Sequence, residues 1–169
     1  MAMGRVPQLG FALAGAVVVL DQATKWLIAN VVHMPMFCDK CIAVVPPIFY
    51  LSHVENTGVS FGLLNSDTLW GRIGLIVFAL AISGLFARWL MKTDRLWPGV
   101  SMGLVIGGAL GNVIDRIVHG RVFDFLDFSR LGFPWIFNVA DSAITIGMIM
   151  LAWDAFFANR KPAPPESSV

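Results

Sequence analysis

Gly103-Leu104-Val105-Ile106-Gly107-Gly108-Ala109-Leu110-Gly111-Asn112-Val113-Ile114-Asp115-Arg116 is the stretch from which the fold is read. It is apolar and rich in glycine as far as Asn112, and then turns polar. Gly103, Gly107 and Gly111 recur every four residues, on one face of a helix, which lets a second helix backbone approach closely. Counted from about Pro98 to Ile114, the apolar run approaches the roughly 20 residues that cross a bilayer core. A glycine face alone means packing. One that ends in Asn112, Asp115 and Arg116 at the membrane surface is less common.

Three other segments have similar character: about Leu9 to Val32, Trp70 to Leu90 and Ala140 to Phe157. The whole chain agrees with them. Of its 169 residues 57% are hydrophobic and 14% charged, against roughly 25% charged in an average soluble domain. Mean hydropathy is +0.73. A small soluble domain needs more polar surface than this. A formal net charge of +1 gives no basic surplus for nucleic acid. Soluble, disordered and nucleic-acid-binding classes are therefore excluded. The expectation is a mainly α membrane protein with four transmembrane helices, forming a single domain over residues 1–160. The tail 161–169, rich in Pro and Ser, is expected to be disordered.

Between the first two segments lies Met34 to Leu69, with Pro46, Pro47 and a β-like run from Ile48 to Val54. Between the last two lies a loop from Asp115 to Phe137, dense in Asp, Arg and Phe. Arg5 followed by Leu9–Leu20 has the outline of a signal peptide, but Asp21 and Gln22 stand where a small-residue cleavage site would be. A retained helix is expected. Arg5, Arg88, Lys92, Arg95, Arg160 and Lys161 fall on the side of the termini, a small excess over Lys40, Arg72, Arg116, Arg121 and Arg130 opposite. By the positive-inside rule both termini are cytoplasmic and the two larger loops face outward.

Ionisable residues in apolar segments are expensive, and they either pair or serve function. Asp21 and Lys25 share a helix face at a spacing of four. They read either as a structural ion pair or as part of a site. Asp124 stands between Phe123 and Phe125, and Asp141 opens the fourth segment. If the third and fourth helices are neighbours, these carboxyls can meet at one membrane surface. Two such groups share a proton, and one can act as base and the other as acid toward water attacking an amide. The other reading is that each caps a helix or pairs with Arg116, Arg121 or Arg130. There is no HExxH and no GxSxG, and one HxE at His53 and Glu55 is weak for a metal. Cys38 and Cys41 form a single CxxC, which reads as a local disulfide or two free thiols, or as a redox or metal site.

Five elements in order carry a resemblance: Asp21-Gln22-Ala23-Thr24-Lys25; Glu55-Asn56-Thr57-Gly58-Val59-Ser60-Phe61; Gly107 to Arg116; Val122-Phe123-Asp124-Phe125; and Phe137-Asn138-Val139-Ala140-Asp141-Ser142. Together they resemble the bacterial lipoprotein signal peptidase (signal peptidase II) family, over about Leu9 to Phe157. The resemblance implies an aspartic intramembrane-type endopeptidase of the inner membrane without metal or cofactor, and the chain is expected to be a monomer. Its substrate would be a prolipoprotein whose cysteine carries diacylglyceryl, cut just before that cysteine. Asp124 and Asp141 would be the catalytic pair. Asn112, Asp115, Arg116, Asn138 and Ala140 would shape it, and Asp21, Lys25, Asn56, Gly58 and Gly108 would support the substrate cleft. Residues of about 34–69 would form a small extracytoplasmic β-rich cradle, and the loop of about 115–139 a mobile cover over a site near the outer face. Family position selects Asp124 rather than Asp127. Val59 stands where the family often has Ala, and the CxxC lies outside its pattern. A different class, a small proton- or ion-coupled transporter, would place such groups near the midplane within repeats. Here most acids cluster at one face and no repeat is seen.

Overall fold

The structure is a computed structural model and describes residues 4–30, 41–58, 68–132 and 136–158. Cys38, the Val59–Phe61 end of the second motif and the 161–169 tail lie outside them. Four helices form the body: α1 (Arg5–Asn30), α2 (Leu69–Leu90), α3 (Leu96–Val118) and α4 (Val139–Trp153), the last followed by a wide turn over Asp154–Ala158. All four, α4 counted with that turn, are long and apolar enough to cross a membrane.

The central helix is α3. Of its most apolar stretch 72% is buried, against 17% to 28% for the other three. Glycine is the reason, because the neighbouring backbones occupy the space a side chain would need. A Cβ on Gly103 would lie 2.5 Å from the Gly10 carbonyl oxygen of α1, and one on Gly107 2.6 Å from that of Ala14. One on Gly108 would collide with the Ala140 carbonyl oxygen of α4. The glycines therefore serve two neighbours, α1 and α4, which meet at Gly111. The buried stripe of α1 (Gly10, Ala14, Val17, Asp21, Lys25, Ile28) recurs every three or four residues, as one helix face must. The outer helix α2 leaves Trp70, Val77, Phe78 and Leu85 exposed, as a lipid-facing helix does. At the end carrying the chain termini, Arg95 holds Asp154 through two bonds of 2.8 and 2.5 Å, tying the start of α3 to the end of α4.

Four strands form one antiparallel sheet in the order β1-β2-β3-β4: β1 (Cys41–Val45), β2 (Phe49–Asn56), β3 (Val122–Asp127) and β4 (Ile136–Phe137). Cys41, at the start of β1, is disulfide-bonded. Two expectations need correcting. The third helix does not stop at Ile114 but runs on to Val118, because Asp115 is buried with partners and Arg116 Nη1 donates to the Asn112 carbonyl at 3.2 Å. The stretch expected as a loop after Asp115 supplies two of the four strands. Val122-Phe123-Asp124-Phe125-Leu126-Asp127 is aromatic and β-branched enough to pair with β2 and extend the cradle.

Candidate active site

Asp141 is placed by helix chemistry. Asn138 is the N-cap of α4: its Oδ1 accepts from Asp141 N at 2.9 Å, and Asp141 Oδ2 accepts from Asn138 N at 3.2 Å. This reciprocal capping box satisfies donors that would otherwise be orphaned at a helix start. It uses one carboxyl oxygen of Asp141. The other accepts from Asn112 Nδ2 of α3 at 2.7 Å.

Asp124 is placed by strand register. β3 pairs Val54 with Asp124 and Asn56 with Val122, and paired residues share a sheet face. Asn56 Nδ2 accordingly donates to Asp124 Oδ2 at 3.0 Å, while Asn138 Nδ2 donates to Asp124 Oδ1 at 2.7 Å. Asn138 thus touches both carboxyls and also donates to Asn112 Oδ1 at 3.2 Å. Of the readings the sequence offers for Asp141, the geometry shows capping, and the same residue lies beside Asn112 and Asn138. Neither acid pairs with the arginines that competed for them. Arg121 pairs with Glu55, and Arg130 lies 4.4 Å over the Tyr50 ring.

Asp124 is 1% exposed. Burial and the charge of Asp141 push its carboxyl up to about 7, against the downward pull of the Asn56 and Asn138 hydrogen bonds and the Lys25 charge. The third acid nearby behaves differently. Residues 124 and 127 differ by an odd number, so a regular strand turns them to opposite faces. Asp127 accepts from Ser52 Oγ at 2.5 Å and from Ser129 N at 2.9 Å. Burial pushes its carboxyl up, but the Ser129 and Ser52 bonds and the Arg130 charge prevail and hold it below the usual range.

Behind the two acids lies an ion network. Lys25 Nζ is 2.7 Å from both Asp21 Oδ2 and Asp115 Oδ2, and all three side chains are buried. The sequence suggested the first contact; the second, across to α3, it did not. Lys25 Nζ also reaches Asn112 Oδ1 at 3.5 Å, which joins the network to the pair. Gln22 was quoted within a motif but not singled out. Its Nε2 bonds Asp115 Oδ1 at 2.8 Å, Asp21 Oδ2 at 3.1 Å and the Gly111 carbonyl at 3.3 Å. Its place directly after Asp21 was the available signal. Ser52, the partner of Asp127, was also missed.

A cavity of about 820 Å³ opens on this arrangement. Asp141, Asn112 and Arg116 line its polar end directly, and Asp124 meets it through Asn56. Gly58 lies at its wall, its N–H bonded to Asn56 Oδ1 at 3.0 Å. Ser142, Thr145 and Ile146 carry the cavity along α4, and Phe128, Leu131 and Phe137 also line it. The Phe128 ring stacks between those of Phe49 and Phe137, with centroids 5.0 and 5.8 Å away. Among the described residues no group of three or more His, Cys, Asp or Glu side chains is placed to hold a metal. His53 packs on the Phe123 ring.

Comparison with known proteins bears on this arrangement. A family model of signal peptidase II matches residues 13–157. The lipoprotein signal peptidase of Caulobacter vibrioides is 41% identical over 161 residues, covering 94% of this chain and 93% of that one. That of Aeromonas hydrophila is 43% identical over 152 residues, covering 88% and 89%. A bacterial membrane enzyme solved at 2.3 Å superposes with a TM-score of 0.74 at 29% identity, over 93% of this chain and 95% of its own. A second, at 1.9 Å, gives 0.75 at 29% identity over 89% and 94%. The matched span begins within α1 and ends in the turn after α4, so it takes in the whole paired-acid arrangement, and the chain belongs to the signal peptidase II family.

Proposed function

We propose that this multi-pass bacterial membrane protease removes the signal peptide of prolipoproteins with Asp124 and Asp141 as its catalytic pair, cutting before a diacylglyceryl-modified cysteine. The observation that carries the reading is that Asn138 bonds both carboxyls, with Asp141 lining a cavity along α4 and Asp124 joined to that cavity through Asn56. Asp124, whose carboxyl titrates near 7, carries the shared proton, and Asp141 is the carboxylate. Asp141 takes a proton from a water whose oxygen attacks the scissile carbonyl carbon. Asp124 gives its proton to the carbonyl oxygen, which yields a gem-diol. Asp141 then protonates the amide nitrogen, a diol proton returns to Asp124, and the C–N bond breaks to acid and amine. General acid–base catalysis of this kind contributes about 10²- to 10⁴-fold.

The remaining side chains act on the pair. Asn112, Asn138 and Asn56 fix the carboxyl oxygens by the bonds given above. Arg116 brings positive charge to the polar end, where it interacts with Asp141, Asp115 and Asp124. Asp21, Lys25 and Asp115 carry the backbone beneath, and Gly108 lets Ala140 lie against α3. With both termini cytoplasmic, the pair lies at the outer end of α3 and α4, where the scissile bond of an anchored precursor lies. The apolar wall keeps the acyl chains in register with the pair, and such positioning lowers barriers by several kcal/mol. The enzyme acts as a monomer among lipids, since one chain supplies every group named. The transporter reading finds no support in the family or in acids gathered at one end.

The test is cleavage by purified protein in detergent. Asp124→Asn and Asp141→Asn should each lose at least about 10²-fold in rate while remaining folded. The same precursor without its diacylglyceryl group should be cut poorly. Substantial activity in either variant overturns the pair, and equal rates with and without lipid overturn the substrate assignment. Tags at the termini that report the exterior would reverse the orientation.

A further inference from the structure

The ion network sits behind the candidate pair and holds it through backbone. Asp21 Oδ1 accepts from Ala140 N at 3.0 Å, and Asp115 Oδ2 accepts from Phe123 N at 3.3 Å. Ala140 immediately precedes Asp141, and Phe123 immediately precedes Asp124. Two acids from two helices therefore grip α4 and β3 in the same way, one residue short of each carboxyl. Lys25 and Gln22 bind these two acids to each other. The ammonium is a compact charge with rotatable donors, and it follows its partners when they shift. The amide has two donors fixed in one plane. Anchored on the Gly111 carbonyl as well, it sets how far apart the carboxylates stand.

We infer that Gln22 is a positioning residue for cleavage: its side-chain amide spaces Asp21 and Asp115, and through Ala140 N and Phe123 N it spaces Asp141 and Asp124. The inference rests on Asp124 and Asp141 being the catalytic pair, but the clamp is a property of the fold and is measurable without substrate. Gln22 also lines a second cavity of about 430 Å³, which Asp141 does not line. The charged and titratable groups around it are Asp21 and Lys25 on α1 and Asp115 on α3. Across the cavity stand His53 and Glu55 on β2, and His119 and Arg121 between α3 and β3.

Gln22→Met keeps the side-chain length and removes the donor. Amide hydrogen exchange at Phe123 and Ala140, followed in detergent, should quicken by about tenfold as the local opening free energy falls. On a diacylglyceryl-modified precursor kcat should fall about ten- to a hundredfold, with KM changed by less than about twofold. Gln22→Glu adds a third carboxylate beside two that share one lysine, and at neutral pH it should be as slow as Gln22→Met. As pH falls the glutamic acid regains an O–H donor, so its rate, taken as a ratio to the unsubstituted enzyme at each pH, should climb. A packing role alone would leave that ratio flat, and a flat ratio overturns the inference. Unchanged exchange at Phe123 and Ala140 overturns the clamp whatever the activity; Gln22→Glu carries the same readout if Gln22→Met does not fold. Faster exchange with undiminished kcat overturns the link from clamp to pair. An unsubstituted protein that cuts no precursor would instead refute the catalytic reading, and the exchange result alone would still decide the clamp.

Discussion

Two pairs of acids lie at one end of this helix bundle, and they differ in what neutralises them. Asp21 and Asp115 share the ammonium of Lys25 at 2.7 Å each and the amide of Gln22. Asp124 and Asp141 are held by asparagines and a backbone N–H, donors that carry no charge. Among the described residues no lysine or arginine makes an ion pair with either. The first pair is compensated and anchors backbone. The second has no ion-pair partner among the described residues, and in the proposed mechanism it shares a proton. The two pairs thus differ in whether a cation makes direct contact with them.

The comparison is broken most severely by removing the cation. Lys25→Met would leave two buried carboxylates without a countercharge, and loss of one partner of a buried pair costs about 3–5 kcal/mol. Thermal unfolding in detergent should show that loss. Adding Asp115→Asn to Lys25→Met should restore part of it, and no restoration would mean that the lysine acts through packing.

The uncompensated pair makes the opposite prediction. The Asp124 carboxyl, ordinarily near 3.8, is raised to about 7 in the folded protein. Between those values the folded state binds more protons than the unfolded one, so stability falls as pH rises and levels off above about 7. Asp124→Asn should flatten this part of the curve and be the more stable protein at pH 8. Activity should decline above about 7 as Asp124 loses its proton, and decline again in acid as Asp141 gains one. Identical pH–stability curves for the two proteins would contradict the proton assignment.

A smaller effect is expected where the helix carrying Asp141 meets α3. Gly108→Ala puts a methyl group against the Ala140 carbonyl, and overpacking of this kind costs about 1–3 kcal/mol. Cleavage should suffer more than in a Gly74→Ala control, where an added Cβ meets nothing within 4 Å.

The smallest effect sharpens the contrast with a third acid. Asp127 is held below its ordinary range by Ser129, Ser52 and Arg130. It therefore contributes stability above its unfolded value and loses it as pH falls through the folded one. Asp127→Asn should cost about 1 kcal/mol, the worth of a hydrogen bond, and leave cleavage nearly unchanged. A dead Asp127→Asn beside an active Asp124→Asn would exchange their roles.

Much of this protein could be read from its sequence. Composition and the four apolar runs determined a membrane helix bundle, because a bilayer admits few other solutions for backbone hydrogen bonds. The spacing of Asp21 and Lys25 determined their contact, since residues four apart on a helix must meet. The motifs named the residues of the candidate site. Strand alternation turns Asp127 away from Asp124, but the segment by itself reads as a loop because its pairing partner, β2, lies far back in the chain. What only the tertiary structure decided are the contacts between distant segments. It brought Asp115 to Lys25, Asn56 to Asp124, and Asn138 to both Asp124 and Asn112. It also turned one glycine face into two, one for α1 and one for α4. Periodicity reports which residues share a face. Which cation, amide or backbone N–H stands opposite depends on how the faces pack, and here that choice separates the two acids that share Lys25 from the two held by uncharged donors.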